Sequence, residues 1–213
     1  MKKFKVILPV MTAIILCYSL SFGQMKMSDS KSFNTTKSIQ LKTDMRKLWE
    51  DHVIWTRNVI LCLADNLPGT DQAVKRLLQN QTDIGNAVAL FYGTDAGNKL
   101  TELLNAHINI AAEVVLAAKS GNNDKLKDAN KRWFENADEI SEFLSAANPN
   151  WALTDLKSMM HTHLQLTTDE AVNRLKKDYE SDVNSYDALH KEILEMSDML
   201  TYGIIKQFPK KFK

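Results

Sequence analysis

The chain has 213 residues, of which 44% are apolar and 25% charged, with 7 Gly, 4 Pro, 2 Cys and a formal net charge of +1. These proportions are those of a globular protein and exclude collagen-like, disulfide-framework, low-complexity and polytopic membrane classes. Few Gly, Pro and β-branched runs leave too little turn material for an all-β sandwich, so helix is expected throughout.

Lys2, Lys3 and Lys5 precede an apolar run from Val6 to Leu20, followed by Ser21-Phe22-Gly23. A cationic start, an apolar stretch and small residues at the third and last positions before the cut predict a secretory signal peptide over 1–23, which makes the mature protein periplasmic or secreted. The run is shorter than the ~20 residues that span a bilayer and contains Pro9, so no stable membrane span is expected after cleavage. Leu16 stands before Cys17 where lipid attachment needs a small residue. Without 1–23, Lys+Arg falls from 27 to 24 against 26 Asp+Glu, a net −2 that offers no basic surplus for nucleic acid. Cys62 is then the one cysteine left, and no intramolecular disulfide can form.

Residues 24–38 are polar and aperiodic and read as a flexible leader; 39–213 read as one domain. Clusters at 67–69, 93–97, 120–123, 148–150 and 167–168 punctuate the pattern and predict six helices over 40–66, 70–92, 98–119, 124–146, 153–166 and 168–207. Thr167 and Glu170 have the spacing of a capping box dividing the last two. The expected fold is an all-α, antiparallel up-and-down bundle with a four-helix-bundle-like core. Arg76-Leu77-Leu78-Gln79-Asn80 and Arg132-Trp133-Phe134-Glu135-Asn136 form a faint internal echo, each followed by Ile four residues on.

The apolar seams are interrupted near mid-helix by His52, His107 and Asn136, and in the second helix by Gln81 or, on the neighbouring stripe, Asn80. Counting across each hairpin turn at ~1.5 Å per residue places these residues within about one turn of a common level. Asp187 and His190 sit near the middle of the last helix on one face; the level of His163, close to its turn, stays open. Imidazoles converging from different helices can ligate a metal or haem or grip a polar ligand, with His52, His107 and His190 as the metal candidates. The same residues can form a closed hydrogen-bond network that fixes helix register. A di-iron centre is disfavoured, since only Asp187-x-x-His190 approaches its ligand pattern.

Met159-Met160-His161-Thr162-His163 offers thioether and imidazole suited to copper, or a core stripe in which methionine fills gaps. Cys62 reads as a small buried hydrophobe. In the dense cluster Trp49 to Asn58, Trp55 and Arg57 could line a ligand groove, with Arg57 holding a carboxylate, or could be core indole and solvated charge. The tail lysines 206, 210, 211 and 213 complement a helix C-terminus. Phosphate-loop, GxSxG, HExxH, paired CxxC and CxxCH patterns are absent from the sequence.

Leu48-Trp49-Glu50-Asp51-His52-Val53-Ile54-Trp55-Thr56-Arg57, Leu78-Gln79-Asn80-Gln81, Phe91-Tyr92-Gly93, Ala147-Asn148-Pro149-Asn150-Trp151 and Gly203 to Pro209 resemble a bacterial family of small exported helical-bundle proteins. The resemblance covers residues 45–212 and implies the fold. Some members carry the label glycosyltransferase, an activity not carried over because a nucleotide-sugar donor needs an α/β scaffold. The expected function is a binding module whose mid-bundle layer takes a small polar ligand or a transition metal such as copper, iron or zinc. The alternatives are a structural or partner-binding bundle and, third, an enzyme using a His–carboxylate pair.

Overall fold

The computed structural model describes residues 33–213, so the expected signal peptide and most of the leader lie outside the described residues. Six α-helices follow one another: α1 (Thr36–Asp65), α2 (Thr70–Tyr92), α3 (Thr94–Ser120), α4 (Asn123–Ala147), α5 (Leu153–Leu175) and α6 (Tyr179–Gln207), then a short 3-10 turn Pro209–Phe212. Each packs on its chain neighbours and α6 returns to α1, closing a ring; α1, α3 and α5 also touch one another across the axis. The fold is therefore the expected all-α antiparallel bundle, arranged as three hairpins.

Local chemistry sets the boundaries. Thr35, Asn122 and Asp178 cap α1, α4 and α6 by accepting from the backbone N–H three residues on. The cap at Thr35 starts α1 ahead of the predicted boundary, so Thr36–Ser38 are helical and Ser38 is buried. Between α2 and α3 the turn shrinks to Gly93, whose φ of 89° suits a residue without Cβ.

The predicted break at 167–168 is absent. Thr167 and Thr168 bond back to the carbonyls of His163 and Leu164, and Glu170 faces Arg57 instead of a helix start, so α5 runs on to Leu175. The chain turns instead at Lys177, which is left-handed (φ 62°), immediately before the Asp178 cap.

With α5 complete, the internal echo becomes threefold. His52, His107 and His163 recur in the odd helices within His-Val-x-Trp-Thr, His-Ile-x-Ile-Ala and His-Leu-x-Leu-Thr. In the even helices Asn80, Asn136 and Glu192 recur every 56 residues, and so do Leu77, Trp133 and Leu189. All six of these even-helix positions are buried. Three copies of one hairpin thus share an axis.

The two ends of the bundle differ. At one, Tyr92 donates to Gln207 (2.8 Å) and accepts from Asn148 (2.8 Å), while Phe212 folds back to stack on Phe91 with ring centroids 5.9 Å apart. Lys211 donates to the Leu90 carbonyl at the end of α2, so this tail lysine serves the terminus of α2. Trp151, buried in the loop after α4, packs its indole on Gly203 of α6: a Cβ there would collide with the indole Nε1 and stand 2.5 Å from Cδ1. Gly203→Ala should therefore cost about 1–3 kcal/mol by overpacking, measured as a lowered urea midpoint with unchanged m-value.

Candidate functional site

The midpoint of each hairpin carries one buried imidazole and its partner, always 29 residues apart. His107 Nδ1 lies 2.9 Å from Asn136 Oδ1, His163 Nδ1 3.0 Å from Glu192 Oε2, and His52 Nδ1 3.3 Å from Gln81 Nε2. Asn136 donates to the Leu103 carbonyl (3.1 Å), so its Oδ1 accepts the His107 Nδ1–H. The Glu192 carboxylate likewise accepts from His163. Gln81 donates from Nε2 to the Leu77 carbonyl (2.8 Å) and towards His52, and its buried Oε1 has no partner. Asn80, on the other candidate stripe, donates to the Leu48 carbonyl (2.9 Å) and faces Gln81.

The three rings gather at the axis: centroids of His52 and His163 are 5.7 Å apart, and those of His107 and His163 6.3 Å. Trp49 and Trp133 flank the layer against His52 and His107. Burial, reinforced by the neighbouring imidazoles, pushes His52 well below the usual histidine range and His107 to about 3. Both rings are neutral bases at neutral pH. As placed, no three His, Cys, Asp or Glu side chains among the described residues stand ready to hold a metal ion.

The predicted level thus holds His52, Gln81, Asn80, His107 and Asn136 together, with His163 as its third histidine. His190 is a correction: it reaches outward to Glu50 (2.9 Å) and is one-third exposed, while Asp187 is exposed, so neither joins the layer. A helix from 168 to 207 would put both at mid-height, but α6 starts eleven residues later, at Tyr179. Trp55 is half-buried beneath Arg76 outside the layer. Arg57 does hold carboxylates, but the protein's own: Glu170 (2.7 Å) and Asp182 (2.8 Å), with Arg174 3.6 Å from Asp182. His161 pairs with Asp138 on the flank, so the Met-His-Thr-His segment sends one imidazole outward and one to the axis.

The layer divides two spaces. Below it, a void of about 20 Å³, room for one water-sized species, is bounded by the three histidines, Met160, Met196 and Trp49 among others. Above it, a cavity of about 370 Å³ opens at the end of the bundle opposite the aromatic plug. Thr56, Ala111 and Thr167, one turn beyond the three histidines, line its floor, and Ile60, Val115 and Ala171 its walls. Trp133 also lines it, and the buried Nε1–H of that indole has no acceptor. None of these residues was a sequence-level candidate. The available signal was small residues at core positions, Ala111, Ala118 and Ala171, where a filled bundle carries Leu.

The cavity wall is underlain by charge. Glu170, fully buried and adjacent to Ala171, pairs through Oε1 with Arg57 while its Oε2 lacks a partner. Burial raises its carboxyl to about 7 against the pull of Arg57.

No family model, curated protein or solved structure matches this chain.

The depressed histidines make the folded chain bind fewer protons than the unfolded one below the ordinary value of 6.5. Their stabilisation is present above 6.5 and is lost as pH falls, by roughly 1–1.5 kcal/mol per pH unit for each ring. Glu170 acts oppositely: its contribution is complete below 4.5 and is lost as pH rises through about 7. Urea midpoints from pH 4 to 8 should therefore fall less steeply on the acid side in His107→Gln, while Glu170→Gln should lack the decline through pH 7.

Proposed function

We propose that this chain is an exported binding protein for a small, mainly apolar molecule, taken into the axial cavity above the histidine layer. The observation that carries this is the cavity itself. About 370 Å³ lined mainly by aliphatic side chains, with the Thr56 and Thr167 hydroxyls at its floor, matches the size and polarity of small-molecule sites between bundle helices. Export rests on the lysine-led apolar run before Gly23.

The mouth follows from unequal sealing of the three hairpin junctions. Between α6 and α1, Asp198 holds Arg46 (2.7 Å) and Lys42 (3.0 Å), His190 holds Glu50, and Asp182 holds Arg57. Between α2 and α3, Gly85 and Gly97 bring the helices so close that a Cβ on either would stand 2.6 Å from the other's carbonyl oxygen. Between α4 and α5, among the described residues, every side-chain hydrogen bond and ion pair lies in one half, made by Asp138 and Glu142 with Lys157 and His161. The other half, Asn123 to Asn130 against Thr168 to Leu175, lines the cavity.

A second reading, in which the polar layer fixes helix register, is supported by the pairing of each imidazole within its own hairpin. Replacing His52 and His107 together with Leu would then leave fold and ligand binding intact, whereas a layer that forms the cavity's functional floor loses binding with the fold kept. For the cavity, Trp133 is a built-in reporter. Naphthalene or a medium-chain alcohol should shift its fluorescence saturably, with one probe per chain by calorimetry. Ala112→Phe, projecting into the space, should weaken that binding at least tenfold with an unchanged melting temperature. Unsaturable binding, or binding unaffected by the filling substitution, would remove the cavity as the site.

A further inference from the structure

The three axial histidines expose a common chemistry on the side the helix partners leave free. Every hydrogen bond their rings make is at Nδ1, so Nε2 of each is uncommitted. For His107 and His163 the Nδ1–H is donated, to an amide oxygen and to a carboxylate, which leaves the lone pair on Nε2. An imidazole held at one nitrogen by a carboxylate or carbonyl and free at the other is the arrangement seen in metal-ligating histidines, where the outer partner fixes the ring and raises its basicity. We propose that His52, His107 and His163 form a site for one divalent first-row transition metal ion, with Glu192, Asn136 and Gln81 as the supporting partners. This rests on the reading that the bundle axis is where the chain binds its ligand.

Two further observations support it. First, spacing: three imidazoles sharing one ion at ~2.0–2.1 Å from each nitrogen have ring centroids roughly 5–5.5 Å apart. The observed 5.7 and 6.3 Å therefore require those two pairs to close by roughly 0.2–1.3 Å. Second, space: the void of about 20 Å³ that the three rings bound accepts one ion, and Met160 and Met196 on its wall leave it otherwise apolar. At His52, ligation through Nε2 places the ring proton on Nδ1, so Gln81 must turn Oε1 towards that proton at the expense of its Nε2 bonds to the Leu77 carbonyl (2.8 Å) and Asn80 Oδ1 (3.3 Å). The buried Glu192 supplies a negative charge beside the ion. Three protein nitrogens leave a further coordination position open, the pattern of sites that bind an exogenous ligand.

Cobalt tests this directly, because four-coordinate Co²⁺ has intense visible absorption that octahedral aqueous Co²⁺ lacks. The purified protein, stripped with chelator and titrated with Co²⁺ alone, should develop that absorption at one equivalent, and Zn²⁺ should bleach it stoichiometrically. His107→Gln and His163→Gln should each weaken binding at least 100-fold, and Glu192→Gln by 10–100-fold. The double variant His161→Gln/His190→Gln, which removes the outward imidazoles, should bind as the parent does. Circular dichroism establishes that each variant is folded; should a core variant fail to fold, Glu192→Gln and the outward pair still decide the matter. Absence of one-equivalent binding, survival of binding without His107 or His163, or its loss with the outward pair would overturn the proposal. The naphthalene titration on the same chelator-treated protein separates the two readings: probe binding without metal binding removes the metal site and keeps the cavity, and failure of both removes both.

Discussion

Three imidazoles buried at one level of a helical bundle impose the constraint on which the rest of this structure depends. A buried polar group without a partner costs as much as several good apolar contacts, so each ring must find a hydrogen bond inside the protein. An antiparallel hairpin of two helices of 23 to 30 residues provides one at a fixed chain distance, and 29 residues is that distance in all three hairpins. The pairing locks the register of each hairpin by the same device, since sliding one helix by a turn would strand both partners. It also explains why the odd helices meet across the axis while the even ones only pack around the ring: the rings point inward and their partners reach in from the flank.

Threefold repetition makes the departures from symmetry informative. Gln81 partners His52 as Asn136 partners His107, but as donor rather than acceptor and from the position next to the repeat equivalent, Asn80, and it keeps an unsatisfied oxygen. Glu192 brings charge where its counterparts bring an amide. Of the three junctions between hairpins, one is sealed by ion pairs, one by glycine contact, and one only over half its length. An entrance to the axis arises where the repeat is sealed least, and the aromatic plug formed by Phe91, Phe208 and Phe212 closes the opposite end.

Much of this was legible in the sequence. Heptad-like spacing and breaker clusters yield the six helices, and because an up-and-down bundle converts residue counts into height, hairpin counting alone brings His52, Gln81, His107 and Asn136 to one level. It fails at His163 for a definite reason. Thr167 and Glu170 have the spacing of a capping box, but a threonine inside a helix can bond to the carbonyl four residues back, and a half-buried arginine on another helix competes for the glutamate. Nothing local to 167–170 says which wins. The decision belongs to Arg57, more than a hundred residues away. Shortening α5 in turn lengthened α6, moved its midpoint to His190, and hid the third repeat. The cavity was less legible still, since space is defined by what neighbouring helices fail to fill, and small residues in a seam signify either a void or a close approach. Gly85 and Gly97 turn out to be the second kind, Ala111 and Ala171 the first.

The charged cluster beneath the cavity wall ties these parts together. Arg57 follows Thr56 of the cavity floor, Glu170 precedes Ala171 of its wall, and Asp182 anchors the start of α6, so one guanidinium joins the three helices around the entrance end. Two buried carboxylates share that arginine, and Arg174, at 3.6 Å, assists Asp182 alone. Glu170 is left partly uncompensated, which is why burial raises its carboxyl to about 7. The wall next to the binding space is therefore held by a pair whose charge changes close to neutral pH, while His52 and His107 beneath the floor stay neutral throughout that range. At the cavity, then, the group whose charge changes near neutrality is the Glu170 carboxyl of the side wall rather than His52 or His107, the residue type that ordinarily titrates there.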